Sequence, residues 1–270
     1  MRIALAGICG TDLHEYTSGP QYIPAEPHPR SGQQAPLTLG HEMAGTVVKV
    51  GEQVTRARPG DRVAIFAILG CGHCRSCRRG VPATCTTMVA TGLSTGDGGL
   101  SEYVRVKDPQ LYPLPNSMSF TQGALVEPAA CAVRAVHLGE VQAGNVVLVT
   151  GGGPIGQLTA MAAQAAGASS VYISEVVPAR RELARRNVPA AVVLDPSTDN
   201  VPRAVQDATE GWGADVVFDR TIELMRTGQL PAERIVTAEI PLDDVVELGF
   251  DELIRPTTQH AKIHIRPATG

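Results

Sequence analysis

The sequence predicts an α/β protein made of a turn-rich β lobe and a doubly wound parallel sheet. Three observations carry that expectation. The first 120 residues break into short apolar runs separated by Gly- and Pro-containing turns, the pattern of short antiparallel strands. From near Glu140 onward, strand-type and helix-type stretches alternate, the order of a parallel sheet covered by helices. Within that half, Val146 to Gly156 reads V-V-L-V-T-G-G-G-P-I-G, an apolar strand running through a glycine turn into a small-residue helix.

In the β lobe, Met43 to Val50 is a mostly apolar run ending at Gly51. Arg62 to Ile68 is another, entered through the turn at Pro59 to Asp61. A cysteine-rich loop follows, and Val104, Val106 and a stretch through Pro113 and Pro115 close the lobe. In the second half, Val146 to Thr150 is apolar at consecutive positions, so both of its faces are expected to be covered. A helix is expected from Pro154 to Ala166, a strand at Val171 to Ser174 and a helix from Ala179 to Asn187. Strands at Ala191 to Leu194 and Asp215 to Phe218 follow. An amphipathic helix from about Leu242 and a last strand over Ala261 to Pro267 complete the chain.

Composition narrows the function classes. The chain has 270 residues, enough for two domains. A net charge of -4 with both signs interspersed gives no case for nucleic acid or a membrane surface as partner. No apolar run approaches the ~20 residues that span a bilayer. The opening M-R-I-A-L-A-G-I-C-G-T-D has too short an apolar run before Asp12 for a signal peptide. Six cysteines with metal-type spacing then point to a reducing cytoplasm rather than to disulfides.

Cys71, Cys74, Cys77 and Cys85 lie in C-G-H-C-R-S-C-R-R-G-V-P-A-T-C. Four thiolates so spaced can wrap one ion tetrahedrally, which is how a closed structural zinc site is built. His73, inside the loop, reads as a surface residue. Gly151, Gly153 and Gly156 form the G-x-G-x-x-G frame between strand and helix, with Pro154 and Ile155 inside it. The first glycine permits the tight turn, the second lets backbone approach a pyrophosphate, and the third packs helix on strand. Glu175 ends the next strand, where a carboxylate accepts hydrogen bonds from ribose hydroxyls and repels a 2′-phosphate; NAD is therefore expected over NADP. Arg180 either flanks the adenosine or is solvated. Cys9 in C-G-T-D and His41-Glu42 in L-G-H-E are two further ligand-type clusters; a catalytic zinc takes three protein ligands and keeps one position open. Cys131 and His137 are assigned to helix packing.

These motifs together resemble the zinc-dependent medium-chain alcohol dehydrogenase superfamily. Gly40 to Val54, G-H-E-M-A-G-T-V-V-K-V-G-E-Q-V, resembles its zinc signature. Ala6 to Tyr16, A-G-I-C-G-T-D-L-H-E-Y, with E-P-H-P at Glu26 to Pro29, is similar to the (R,R)-2,3-butanediol and sorbitol dehydrogenase branch. The resemblance implies a GroES-like β-barrel catalytic lobe over residues 1–120 and a truncated Rossmann doubly wound parallel sheet over 121–257. Residues 258–270 would return to the catalytic lobe. It implies Cys9 and His41 as catalytic zinc ligands, with Glu42 or Glu127 as the third. Asp12 would support the histidine, and Thr11 and His14 would relay the alcohol proton. The implied activity is hydride transfer between a secondary alcohol, 2,3-butanediol or a similar polyol, and NAD. Sorbitol-type polyols or threonine are the alternative substrates.

Two departures from the family pattern are expected to matter. The family starts several tens of residues before its C-G-T-D motif. Here A-D-V-V-F-D, Ala214 to Asp219, also runs almost directly into T-I-E-L-M-R-T-G-Q-L-P, where the family places the nicotinamide pocket and, in many members, a dimerisation strand. The family's homo-oligomer would lose its edge there. A truncated, non-catalytic zinc- and nucleotide-binding relative is the alternative reading.

Overall fold

The computed structural model describes residues 1–211, 215, 235–255 and 258–267. They divide into two compact units, one holding 1–127, 239–254 and 263–267, the other holding 128–211, 215, 235–238, 255 and 258–262. In the first unit, strand β1 (Arg2–Gly7) leads into helix α1 (Gly10–Ser18), followed by β2 (Glu42–Thr46), β3 (Arg62–Ile65) and the short β4 (Ile68–Leu69). Helix α2 (Arg75–Arg78), β5 (Val89–Ala90), β6 (Leu111–Pro113) and α3 (Phe120–Ala124) come next. The second unit carries most of α4 (Val126–Leu138), then β7 (Val146–Thr150), α5 (Pro154–Ala165), β8 (Ser170–Ser174), α6 (Pro178–Asn187), β9 (Ala191–Leu194) and α7 (Val201–Ala208). Strands β10 (Val236–Pro241) and β11 (Lys262–Arg266) flank a helical segment over 242–254.

One sheet has the strand order β10-β11-β1-β2-β3-β6. β1 is central because both of its edges are paired antiparallel, Ala6 opposite Ile265 of β11 and opposite Met43 of β2. The core of this lobe is built from Ile3, Ala6, Met43, Val47, Val63, Ile65, Val104 and Leu111. Gly45 is required where β2 crosses β1, since a Cβ there would run into the Arg2 carbonyl. The sequence expectation of a strand over Met43 to Val50 overran its end. β2 stops at Thr46, opposite Arg62; Val47 still bonds Asp61 and Gly60, where Gly60, at φ +95°, turns the chain, and Val48 beyond it is exposed. The expected run from Arg62 to Ile68 is likewise split. The buried Gln110 amide donates to the Phe66 and Ala67 carbonyls at 3.1 and 2.9 Å, which takes those residues out of the strand ladder.

β7, β8 and β9 form a parallel sheet in that order, with β7 in register from Val146 opposite Ser170 to Thr150 opposite Ser174. Val147, Val149, Leu158, Met161, Val171, Ile173 and Leu183 are buried between sheet and helices. The expectation that β7 is covered on both faces is corrected in part: Val146 and Leu148 are half-buried and Thr150 is exposed. A sheet of three described strands leaves part of a face at its margin. Of the expected strand Asp215 to Phe218, Asp215 is described, and its N–H donates to the Val146 carbonyl at 3.1 Å; the rest lies outside the described residues, as does the join after Asp219. No helix among the described residues is long and apolar enough to cross a membrane.

Candidate active site

Helix α1 has little helical propensity in G-T-D-L-H-E-Y-T-S and is held by its ends. Asp12 Oδ2 accepts the Cys9 N–H at 2.8 Å, a capping interaction on the first turn. Because β1 and β2 pair with Gly7 opposite Glu42, Cys9 just past β1 meets His41 and Glu42 at the start of β2. One ligand atom from each of these three residues lies within 4.8 Å of the others. His41 and Glu42 are buried, and Asp12 beneath them is fully so. Asp12 Oδ1 accepts the Gly40 N–H at 3.3 Å and stands 3.6 Å from His41 Nδ1, an ion-pair distance rather than a hydrogen bond. Burial works against an imidazolium at His41, but contacts with Asp12 and Cys9 outweigh it and raise the group to about 11.

A thiol, an imidazole and a carboxylate that converge in a buried space form a donor set suited to a zinc ion with one open position. The buried His41 Nδ1 has no hydrogen bond, and Asp12 faces it, the arrangement by which a carboxylate fixes the tautomer of a ligating histidine. The residues therefore fit the metal. Glu127, in the first turn of α4, stands outside this group of ligand atoms. The Cys9 thiol reaches Thr11 Oγ1 at 3.7 Å, and His14, one turn along α1, is exposed.

The second cluster joins Cys71, Cys74, Cys77 and Cys85, one ligand atom each within 4.8 Å of the rest, all as free thiols. Backbone N–H groups point at the sulfurs: Cys71 N–H at Cys85 Sγ (3.4 Å), Cys74 N–H at Cys71 Sγ (3.3 Å) and Cys77 N–H at Cys74 Sγ (3.5 Å). Such bonds favour thiolate. The Cys71 N–H is the main cause that lowers Cys85 to about 6, and the His73 and Cys74 backbone groups lower Cys71. At Cys77 a backbone bond from Gly72 is outweighed by desolvation and neighbouring thiols, which raise it to about 11. His73 is exposed, its Nδ1 set against the Cys71 carbonyl at 3.1 Å. The set fits a closed structural zinc site.

In the parallel-sheet unit, Gly151 takes φ +97° and donates its N–H to the Ser174 carbonyl at 2.8 Å. A Cβ at Gly156 would strike the Gly151 carbonyl, so glycine is required at both positions. Gly153 caps α5 and Pro154 opens it. Glu175 is buried, with Oε2 accepting the Gly152 N–H and Oε1 the Val177 N–H, both at 2.7 Å. Arg180, read as either an adenosine neighbour or a solvated residue, is exposed. Arg181 turns inward instead, donating to the Glu175 and Val176 carbonyls at 2.9 and 2.8 Å and pairing with Asp195 at 2.5 Å. Arg181, Gln157 and Asn187 escaped the sequence reading. Gln157 and Asn187 carried a signal, since each is a polar residue on the apolar stripe of its helix. Cys131, assigned to packing, is exposed on α4, because α4 buries Ala129, Ala132, Val133 and Val136 on another face.

Comparison with known proteins agrees with this geometry. Residues 1–116 match the alcohol dehydrogenase GroES-like domain, and residues 154–226 match the zinc-binding dehydrogenase domain. The (R,R)-butanediol dehydrogenase of Bacillus subtilis is 36% identical over 326 aligned positions, covering 99% of this chain and 92% of the relative. That alignment is longer than the 270 residues here, so parts of the relative have no counterpart in this chain. The crystal structure of 2R,3R-butanediol dehydrogenase from Bacillus subtilis superposes with a TM-score of 0.85 at 34% identity, covering 99% of this chain and 91% of that one. A zinc-binding dehydrogenase from Sinorhizobium meliloti, solved bound to NADP, superposes at 0.80 with 25% identity over 98% and 91% of the two chains. With both domain matches, an α/β fold shared along almost its whole length and two convergent donor clusters, the chain belongs to the zinc-dependent medium-chain alcohol dehydrogenase family of oxidoreductases.

Proposed function

We propose that this protein is a zinc- and NAD-dependent secondary-alcohol dehydrogenase acting on 2,3-butanediol or a similar small polyol. The convergence of Cys9, His41 and Glu42 over the buried Asp12 carries the reading. Cys9, His41 and Glu42 would hold the catalytic zinc, and Cys71, Cys74, Cys77 and Cys85 a structural one. The Gly151 to Gly156 turn would seat the NAD pyrophosphate at the start of α5, with Glu175 at the ribose. Sequence similarity to butanediol dehydrogenases supports the substrate class ahead of sorbitol-type polyols and threonine. Free thiols in a metal-type cluster favour a reducing cytoplasm.

When bound, zinc supplies a Lewis acid that lowers the pKa of the alcohol, and NAD accepts the hydride. The chain's residues do the remaining work. Asp12 fixes His41 in one tautomer and one orientation. Thr11, beside the Cys9 thiol, is placed to accept or pass the alcohol proton, and the exposed His14, one helical turn on, is placed to deliver it to water. The test is NADH formation from (R,R)-2,3-butanediol by the zinc-loaded protein, with Cys9→Ser as control. Turnover that disappears in the control is expected; turnover that survives in it sinks the zinc mechanism.

A second reading rests on the aligned positions that this chain lacks: a non-catalytic relative that binds zinc and the adenosine half of NAD. Calorimetry separates the two. ADP-ribose binding as tightly as NAD favours this reading, and a clear gain from the nicotinamide favours the enzyme.

A further inference from the structure

The middle residue of the glycine turn, Gly152, has both of its backbone groups held by buried side chains. Its N–H goes to Glu175 Oε2 at 2.7 Å, and its carbonyl accepts from Gln157 Nε2 at 2.7 Å. Gln157 is in turn fixed by Asn187, whose Nδ2 donates to Gln157 Oε1 at 2.8 Å. Gln157 is fully buried and Asn187 nearly so. Gln157 lies on the face of α5 that also buries Ala160 and Met161, a face otherwise lined by apolar residues. A buried amide is tolerated only when its polar atoms are paired, and here both ends are. The absence of a side chain at Gly152 is part of the arrangement, since a Cβ there would stand 3.1 Å from Glu175 Cβ and 3.2 Å from its Cγ.

We infer that Gln157 and Asn187 are positioning residues for the dinucleotide site, an amide pair that clamps the phosphate turn through the Gly152 carbonyl. The inference rests on the NAD reading given above and concerns residues that would not touch the cofactor. Glu175 precedes α6 and Asn187 ends it, so one end of this segment holds Gly152 directly and the other holds it through Gln157. The backbone N–H groups that face a pyrophosphate are then set before the ligand arrives. Such preorganisation raises affinity by removing the ordering cost from the binding step.

The test uses Gln157→Met, which keeps the volume and removes both hydrogen bonds, and Asn187→Ala, which removes the support alone. Calorimetric NAD binding to the zinc-loaded protein and hydrogen exchange of the peptide containing Gly152 are the two readouts. Each variant is expected to bind NAD roughly five- to tenfold more weakly and to exchange faster at Gly152, with zinc content and far-UV circular dichroism as in the wild type. In the double variant, Asn187→Ala is expected to add little, because it acts through Gln157. NAD affinity within twofold of wild type in both single variants overturns the clamp and leaves the NAD reading standing. Fully additive losses assign the two residues to general packing and also overturn it. A wild-type protein that binds no NAD sinks the cofactor reading itself, and unchanged exchange at Gly152 in Gln157→Met then sinks the clamp as well. Should Gln157→Met fail to fold, Asn187→Ala carries the same two readouts.

Discussion

Asp12 serves two backbone groups besides His41, and of these contacts the family resemblance points only to the one with His41. Asp12 accepts from the Cys9 and Gly40 N–H groups and faces His41 Nδ1. Asp12→Asn keeps the size and loses the charge, so zinc affinity at this site is expected to fall 10- to 100-fold, the usual cost of losing a carboxylate behind a ligating histidine. A chelator competition titration measures it. The metal-free protein gives a second readout. Its His41 is raised to about 11, so the ion pair contributes stability that is complete below the unfolded value of about 6.5 and is lost as pH rises through 11. The difference in melting temperature between wild type and Asp12→Asn is therefore expected to be largest near pH 6 and to narrow as pH approaches 11. The backbone caps keep it from closing entirely. Zinc competes with the same proton, so affinity for the metal rises with pH.

At the level of strands and helices, β7 and α5 were legible because a run of apolar residues ending in glycines states both where a strand stops and why. The expected helix from Pro154 to Ala166 is Pro154–Ala165 in the structure. β1 and α1 were not legible. R-I-A-L-A-G is short and half alanine and glycine, and G-T-D-L-H-E-Y-T-S has no apolar stripe; both depend on tertiary partners rather than on propensity. The helix expected from about Leu242 exists over 242–254 but changes its winding, from a tight 3₁₀ turn to a wide π turn to an α turn. Gly249 lies in the wide turn, where a Cβ would press 2.7 Å from Ile8 Cδ1. The β9–α7 connection offers a test by titration. Asp195 is held below the usual carboxylate range by the Ser197 hydroxyl and N–H first and by Arg181 after them. A depressed carboxylate contributes stability that is present above its unfolded value of about 3.9 and is lost as pH falls through the lower folded value. Asp195→Asn is expected to be less stable than wild type at pH 7, with the gap closing as pH falls through that lower folded value. Thermal melts across that range check it.

For the chain as a whole, the two ligand sets predict a zinc inventory. Each set is a separate convergence of donors, so Cys85→Ser and Cys9→Ser are each expected to lose one metal equivalent without emptying the other site. Cys85→Ser is expected to lower the melting temperature more, since a closed four-thiolate site stabilises the loop it wraps. Metal analysis beside calorimetric melting gives both numbers; a single substitution that empties both sites would show that the centres are coupled. These ligands were readable because spacing alone brings cysteines into reach of one ion. The nearness of Glu42 to Cys9 was not, because it follows from a strand pairing, Gly7 against Glu42, that no local pattern announces. The same pairing map sets an order of assembly. Among the described residues, the seven candidate donors all lie between residues 9 and 85, well before β11 in the chain. β1, which leads to Cys9, pairs with β11 through Ala6 and Gly7, and β11 follows the other described strands in the chain. At a synthesis rate of ~5–20 residues per second, the Ala6–Gly7 end of β1 waits ten seconds or more for β11, on the order of the time to make the intervening chain, with its N–H and C=O groups open to any passing strand.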